Sequence, residues 1–207
     1  KQLDLRISHR FGELNSGVYE LYGLDQATIR IGLEYGFMKN MMVGFGRSTY
    51  NKTYDGYLKY AFLKQSRGDK SVPISIVSFS NFSLNTLKKN YSDYPFLGRL
   101  SFCNQLLISS KINSKFSIQI MPTWVHWNMV ELAEDENDIF VFGGGFRYLI
   151  SKSVSINSEY FIRLNDSEYN MELYYNSFSL GLNASDWGIP QFLSMTCEDI
   201  KNVIPDE

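Results

Sequence analysis

Residues 1–11, KQLDLRISHRF, decide the fold. Leu3, Leu5 and Ile7, then Phe11 beyond His9, fall on alternate positions, with Gln2, Asp4, Arg6, Ser8 and Arg10 between them. Successive side chains of an extended strand point to opposite faces. One face of this strand is therefore apolar and the other carries both signs of charge. The fold depends on which medium each face meets.

The same period of two runs through the chain. ATIRIGLEYGF (27–37) sets Ile29, Ile31, Leu33, Tyr35 and Phe37 against Thr28, Arg30, Gly32, Glu34 and Gly36. FSIQIMPTW (116–124) sets Phe116, Ile118, Ile120 and Trp124 against Ser117, Gln119 and Thr123. VSINSEYFIRL (154–164) sets Val154, Ile156, Tyr160, Ile162 and Leu164 against Ser155, Asn157, Glu159 and Arg163. RLSFCNQLLI (99–108) and YNSFSLGLN (175–183) alternate more loosely, and 41–50, 57–63, 72–84 and 139–149 also read as strands. Arg47 and FGGGF (142–146) leave the phase undefined. The pattern predicts about ten strands of roughly ten residues, the length a tilted strand needs to cross a bilayer.

The connections carry a second signal. MKN (38–40), SRGDKS (66–71), NSK (113–115) and SKS (151–153) are short. They alternate with the longer 12–26, 51–56, 87–98, 128–138 and 165–173. A meander whose two ends face different compartments has this form, with short periplasmic turns and long extracellular loops. A soluble up-and-down barrel has less reason to segregate its loops.

Alternation alone does not tell lipid from core, but three further features favour lipid. The polar face mixes Ser, Thr, Gly, Asn and Gln with a few Arg and acids, unlike a Lys/Glu-rich solvent face. Arg beside acids forms a charge-compensated lattice suited to a confined interior. Aromatics gather near strand ends: Phe11, Phe37, Tyr50, Tyr54, Trp124, Trp127, Tyr160 and Tyr174 form the expected girdle. Closure of the sheet removes the edges that lipid cannot satisfy. By phase, Asp4, Arg6, Arg10, Arg30, Glu34, Lys59, Glu159 and Arg163 line the lumen. The fold class expected is all-β, an antiparallel up-and-down transmembrane β-barrel of about 10–12 strands.

RISHRFGELNSGVYELYGLDQATIRIGLEYG, VGFGRSTYNKTYDGYLKY, LLISSKINSKFSIQIMPTWVHWN and NDIFVFGGGFRYLISKSVSINSEYF resemble, in that order, a Bacteroidota family of outer-membrane β-barrels of unknown function. The resemblance covers about residues 3–183 and implies the outer membrane of a Gram-negative bacterium. It brings no activity, ligand or functional residue with it. Family members look as if they continue upstream of Lys1 and end on further strands with an aromatic terminus. Here ASDWGIPQFLSMTCEDIKNVIPDE (184–207) follows, and Pro190 weakens it as a spanning strand. The expectation is a barrel domain over 1–183 and a divergent segment over 184–207, with about twelve strands in the intact barrel.

Composition narrows the function classes. The chain has 207 residues and net charge −2, so no basic field points to nucleic acid. No run of about 18 apolar residues is present to make a transmembrane helix. Cys103 and Cys197 match no metal motif and are too few for a disulfide framework, although they could pair. The two histidines, His9 and His126, suit interfacial positions. Ser8 and His9, as neighbours on a strand, point apart and make no dyad. Glu131, Glu134, Asp135, Glu136 and Asp138 offer oxygen ligands in a loop but not an EF-hand spacing, so a solvated loop is the simpler reading. Tyr50, Tyr54, Tyr57 and Tyr60, interleaved with Lys52 and Lys59, suit a rim girdle better than a sugar platform. Gly143–Gly145 suits a strand bend. These readings lead to a non-enzymatic barrel without cofactor or metal, acting as a narrow channel for small solutes. The alternatives are a closed accessory subunit of a larger envelope complex and, more remotely, a lipid-modifying enzyme. The partners expected are outer-membrane lipid and lipopolysaccharide, together with other outer-membrane proteins.

Overall fold

The computed structural model describes residues 1–10, 17–19, 21–23, 25, 28–68, 71–87, 95–130, 136–165 and 176–184. Ten strands form one sheet: β1 (Gln2–Arg10), β2 (Thr28–Met38), β3 (Met41–Ser48), β4 (Tyr54–Leu63), β5 (Ser75–Leu84), β6 (Leu100–Lys111), β7 (Phe116–Trp127), β8 (Asp138–Leu149), β9 (Val154–Arg163) and β10 (Ser177–Ala184). Their order in space is their order in sequence, β1 through β10, and every ladder is antiparallel. Among the described residues β1 and β10 stand at the two ends of the sheet. Of the divergent segment expected over 184–207, residues 185–207 lie outside the described residues.

Register makes the two faces continuous from strand to strand. Leu5 lies opposite Leu33, and Leu33 opposite Phe45. On the other face Asp4 lies opposite Glu34, Glu34 opposite Gly44, and Gly44 opposite Tyr57. A one-residue slip in any ladder would send the charges to the apolar side. The two faces differ sharply in exposure. Leu3, Leu5 and Ile7 are 65%, 66% and 60% exposed, whereas Arg30, Glu34 and Asp55 are 5%, 5% and 3% exposed. A flat sheet could not hide one whole face. The polar face is therefore the inside of a curled sheet and the apolar face its outer wall, the inverse of a water-soluble barrel.

The connections depart from the expected alternation at one place. Loops 11–27, 85–99, 128–137 and 164–176 are long and share one end, and 39–40, 112–115 and 150–153 are short at the other. The β3–β4 link, however, is only 49–53, and the β4–β5 link is 64–74. Read as a loop, 51–56 suggested a late start for β4. The turn is instead tightened into a 3-10 segment, Tyr50–Lys52, with Asn51 and Lys52 at φ 48° and 49°. That frees Tyr54–Gly56 to begin the strand. On the opposite side, an isolated bridge between Ser66 and Val72 carries the β4–β5 pairing into the connection.

Candidate functional site

The candidate site is the inner face of the curled sheet. Its β1–β4 wall is charged. Arg30 reaches across β3 to Asp55: its Nε donates to Oδ1 at 2.9 Å, and Nη2 pairs with Oδ2. The pair needs a floor without side chains, and Gly32 and Gly46 supply it. A Cβ on Gly46 would sit 2.5 Å from Arg30 Nη2, and one on Gly32 2.7 Å from Nη1. Deeper in the bore, Arg6 Nη2 lies 3.3 Å from Glu34 Oε2. Lys59 points inward with its ammonium 5.1 Å from the Tyr57 ring centre and 5.4 Å from that of Phe79. Cations over aromatic faces are stabilised by the ring quadrupole.

The β5–β9 wall is different. Phe79, Cys103, Leu107, Met121, Val125, Ile139, Val141 and Phe161 form one buried apolar cluster with Tyr57. Ladder geometry places Met121 opposite Gly143 and Gly143 opposite Phe161, so the Phe161 ring lies where a side chain at Gly143 would be. Gly143 thus makes room for that ring, and Gly145 does the same for the stem of Glu159. Besides the bend expected of this glycine run, Gly143 and Gly145 leave space for their neighbours' side chains. Polar groups are set into the same wall: Gln105 Nε2 donates to Thr123 Oγ1 at 2.9 Å, and Arg147 Nε to Ser155 Oγ at 3.1 Å. Where the loops emerge, Arg163 Nη2 lies 3.4 Å from Glu136 Oε2.

The expected lumen set holds together in part. Arg6, Arg30, Glu34, Lys59, Glu159 and Arg163 share the inner face, and Asp4 shares it by register, accepting from Gln2 Nε2 at 3.0 Å. The Arg10 side chain lies outside the described residues. Across β1 and β2, Arg6 and Glu34 of this set form an ion pair. Asp55, the strongest partner in the bore, was hidden by the misplaced turn. Arg147 was hidden because three glycines erase the alternation before it. Apolar side chains are not confined to the lipid face, since the inner wall carries the apolar cluster around Phe79, Met121 and Phe161. Apolar side chains pack inside a barrel without needing hydrogen-bond partners.

The girdle residues divide. Phe37 stacks on Tyr35 at 6.5 Å, and Tyr54 stacks on Phe45 at 6.2 Å with the Arg47 guanidinium 5.5 Å from its ring. Tyr50 lies in the β3–β4 turn, and Tyr160 stands on the outer face of β9. Trp124 faces out, and its Nε1 donates to Asp138 Oδ1 at 2.7 Å, with His126 Nδ1 2.8 Å from the same oxygen. Trp127 is a correction: three residues on from Trp124 it takes the opposite parity and packs on the inner cluster. The Tyr/Lys stretch after Tyr50 divides likewise, with Tyr54 and Tyr60 outside and Tyr57 and Lys59 inside. Phe11 and Tyr174 lie outside the described residues, as do Glu131, Glu134 and Asp135. Of that acidic run, Glu136 and Asp138 engage separate partners. Among the described residues no cluster of three metal-ligating side chains occurs. Cys103 is disulfide-bonded within the apolar wall, and Cys197 lies outside the described residues.

The division of the two tryptophans is open to measurement. The chain has three tryptophans. A variant keeping only Trp124 is expected to be quenched by lipids brominated on their acyl chains, and one keeping only Trp127 to be insensitive. Equal quenching would put both on the outer wall.

A sheet with an apolar outer wall and paired charges inside defines a transmembrane β-barrel. The chain belongs to the family described as a membrane bound beta barrel domain (DUF5777), whose model matches residues 1–188. Among solved structures, the NanC porin in a rhombohedral crystal form is similar in fold, with a TM-score of 0.56 at 14% identity over 77% of this chain and 79% of the porin's. No curated protein matches the chain.

Proposed function

We propose that this barrel is a narrow channel for small polar solutes in the outer membrane of a Gram-negative bacterium, without chemistry of its own. The observation that carries this reading is the charged wall formed by Arg6, Glu34, Arg30, Asp55 and Lys59. Desolvated ion pairs are poor stabilisers, and well-packed apolar residues in their place are often as stable or more so. A wall kept charged at that cost suits passage of polar solutes past it. The outward aromatic girdle suits the headgroup level of such a membrane. The apolar cluster opposite supports the second reading, a barrel closed by its own side chains that serves as an accessory subunit.

The experiment is single-channel recording of the protein extracted folded from its native membrane. Discrete steps are expected. Arg6→Glu is expected to move the reversal potential in a salt gradient toward cation selectivity, with folding verified by heat-modifiable migration on a gel. Verified insertion without conductance would overturn the channel and leave the accessory subunit.

A further inference from the structure

The outer wall carries one patch that lipid does not explain. Between the rims, the outward side chains of the described strands are apolar or aromatic, or glycine, with few exceptions: Ser78 and Ser80 on β5, Asn104 on β6, and the buried Ser158 on β9. The first three are neighbours. Ser80 lies directly opposite Asn104, and its Oγ donates to Asn104 Oδ1 at 2.8 Å. Ser78, one pleat further along β5, lies opposite Leu106 on one side and Tyr60 on the other.

Two groups of this patch are left over. Among the described residues the Asn104 amide N–H groups and the Ser78 hydroxyl have no hydrogen-bond partner. Asn104 is the fifth residue of β6 from the loop end, about 10 Å down a tilted strand and directly opposite Trp124 of the girdle. A carboxamide turned outward there has donors left to offer another protein. The patch is also low: two serines sit between Leu58 and Tyr60 on one side and Leu106 and Trp124 on the other, so another wall can come close.

We propose that this surface of β5 and β6 binds a second copy of the chain, side by side in the membrane. The patch is uncharged, so two copies meet without repulsion, and its groups are self-complementary. Across a two-fold axis, each Asn104 amide N–H donates to the Oδ1 of the partner's Asn104, whose second lone pair Ser80 leaves free. The serine hydroxyls, each both donor and acceptor, pair around it.

The test is energy transfer between labelled copies in liposomes, followed as lipid dilutes the protein. A dimer is expected, and Asn104→Leu is expected to weaken it at least tenfold while the folded band on a heat-modifiability gel is kept. Independently of that variant's folding, Ser78→Cys copies are expected to join through a short bis-maleimide, and Leu33→Cys copies, on the β2 wall, are not. A wild-type monomer at every dilution overturns the proposal. So does an Asn104→Leu dimer as tight as wild type, or cross-linking at Leu33→Cys as efficient as at Ser78→Cys. Mass analysis showing one copy bound to a different protein would overturn the second copy as occupant.

Discussion

Asp55→Ala is expected to lower unfolding stability by about 3–5 kcal/mol, the usual cost of leaving one member of a buried ion pair without its partner. The side chains of Arg30 and Asp55 are only 6% and 4% exposed, and the guanidinium lies on Gly32 and Gly46. Removing the carboxylate therefore takes from a buried cation the two-point partner it has in Asp55. Removing both charges in Arg30→Met with Asp55→Leu is expected to recover most of the loss, because the desolvation cost leaves with the pair. Arg47 is the control: it lies on the outer face over Tyr54, and Arg47→Met is expected to cost about 1 kcal/mol or less. Urea unfolding from liposomes, followed by tryptophan fluorescence, gives all four values. If Asp55→Ala costs no more than Arg47→Met, water reaches the pair and the β1–β4 wall is wet to its base.

The second large effect concerns the opposite wall. Met121 is 0% exposed and Phe161 2%, and they meet across Gly143. If the bore conducts, these side chains narrow it. The double variant Met121→Ala, Phe161→Ala is expected to raise single-channel conductance at least twofold, because current follows the cross-section of the narrowest stretch. It is also expected to lose stability, since truncating a buried Met or Phe costs about 2–5 kcal/mol. Phe142→Ala removes an aromatic ring of the outer face and is expected to leave conductance unchanged. A double variant that folds and conducts no better than the parent would place the passage elsewhere or deny it.

Much of this was legible in the sequence because a strand offers only two faces. Alternation at Ile29–Gly36 and Val154–Arg163 assigned sides correctly, and the Arg6–Glu34 contact followed from placing β1 beside β2. The failures share a cause: places where alternation leaves no mark or is overruled. Gly143–Gly145 carry no side chains, so the phase of Arg147 was lost. Asn51 and Lys52 adopt left-handed backbone that shortens a turn, which displaced the start of β4 and with it Asp55. Trp127 was assigned by residue type against its own parity. Phe79, Met121 and Phe161 carry no such signal, because an apolar side chain suits a packed interior as readily as lipid. The pairing of Arg30 with Asp55 depends on two strands meeting across β3, and no local pattern announces that.

Among the described residues the ladders join only neighbours in the chain, and this has an evolutionary consequence. Each hairpin keeps its backbone pairing to itself and its two neighbours. Duplicating or deleting one changes the girth of the barrel by two strands and preserves the antiparallel order. The register of every other ladder survives intact. A lineage with this wiring can therefore widen or tighten its pore by single genetic events, without first passing through a misfolded ancestor.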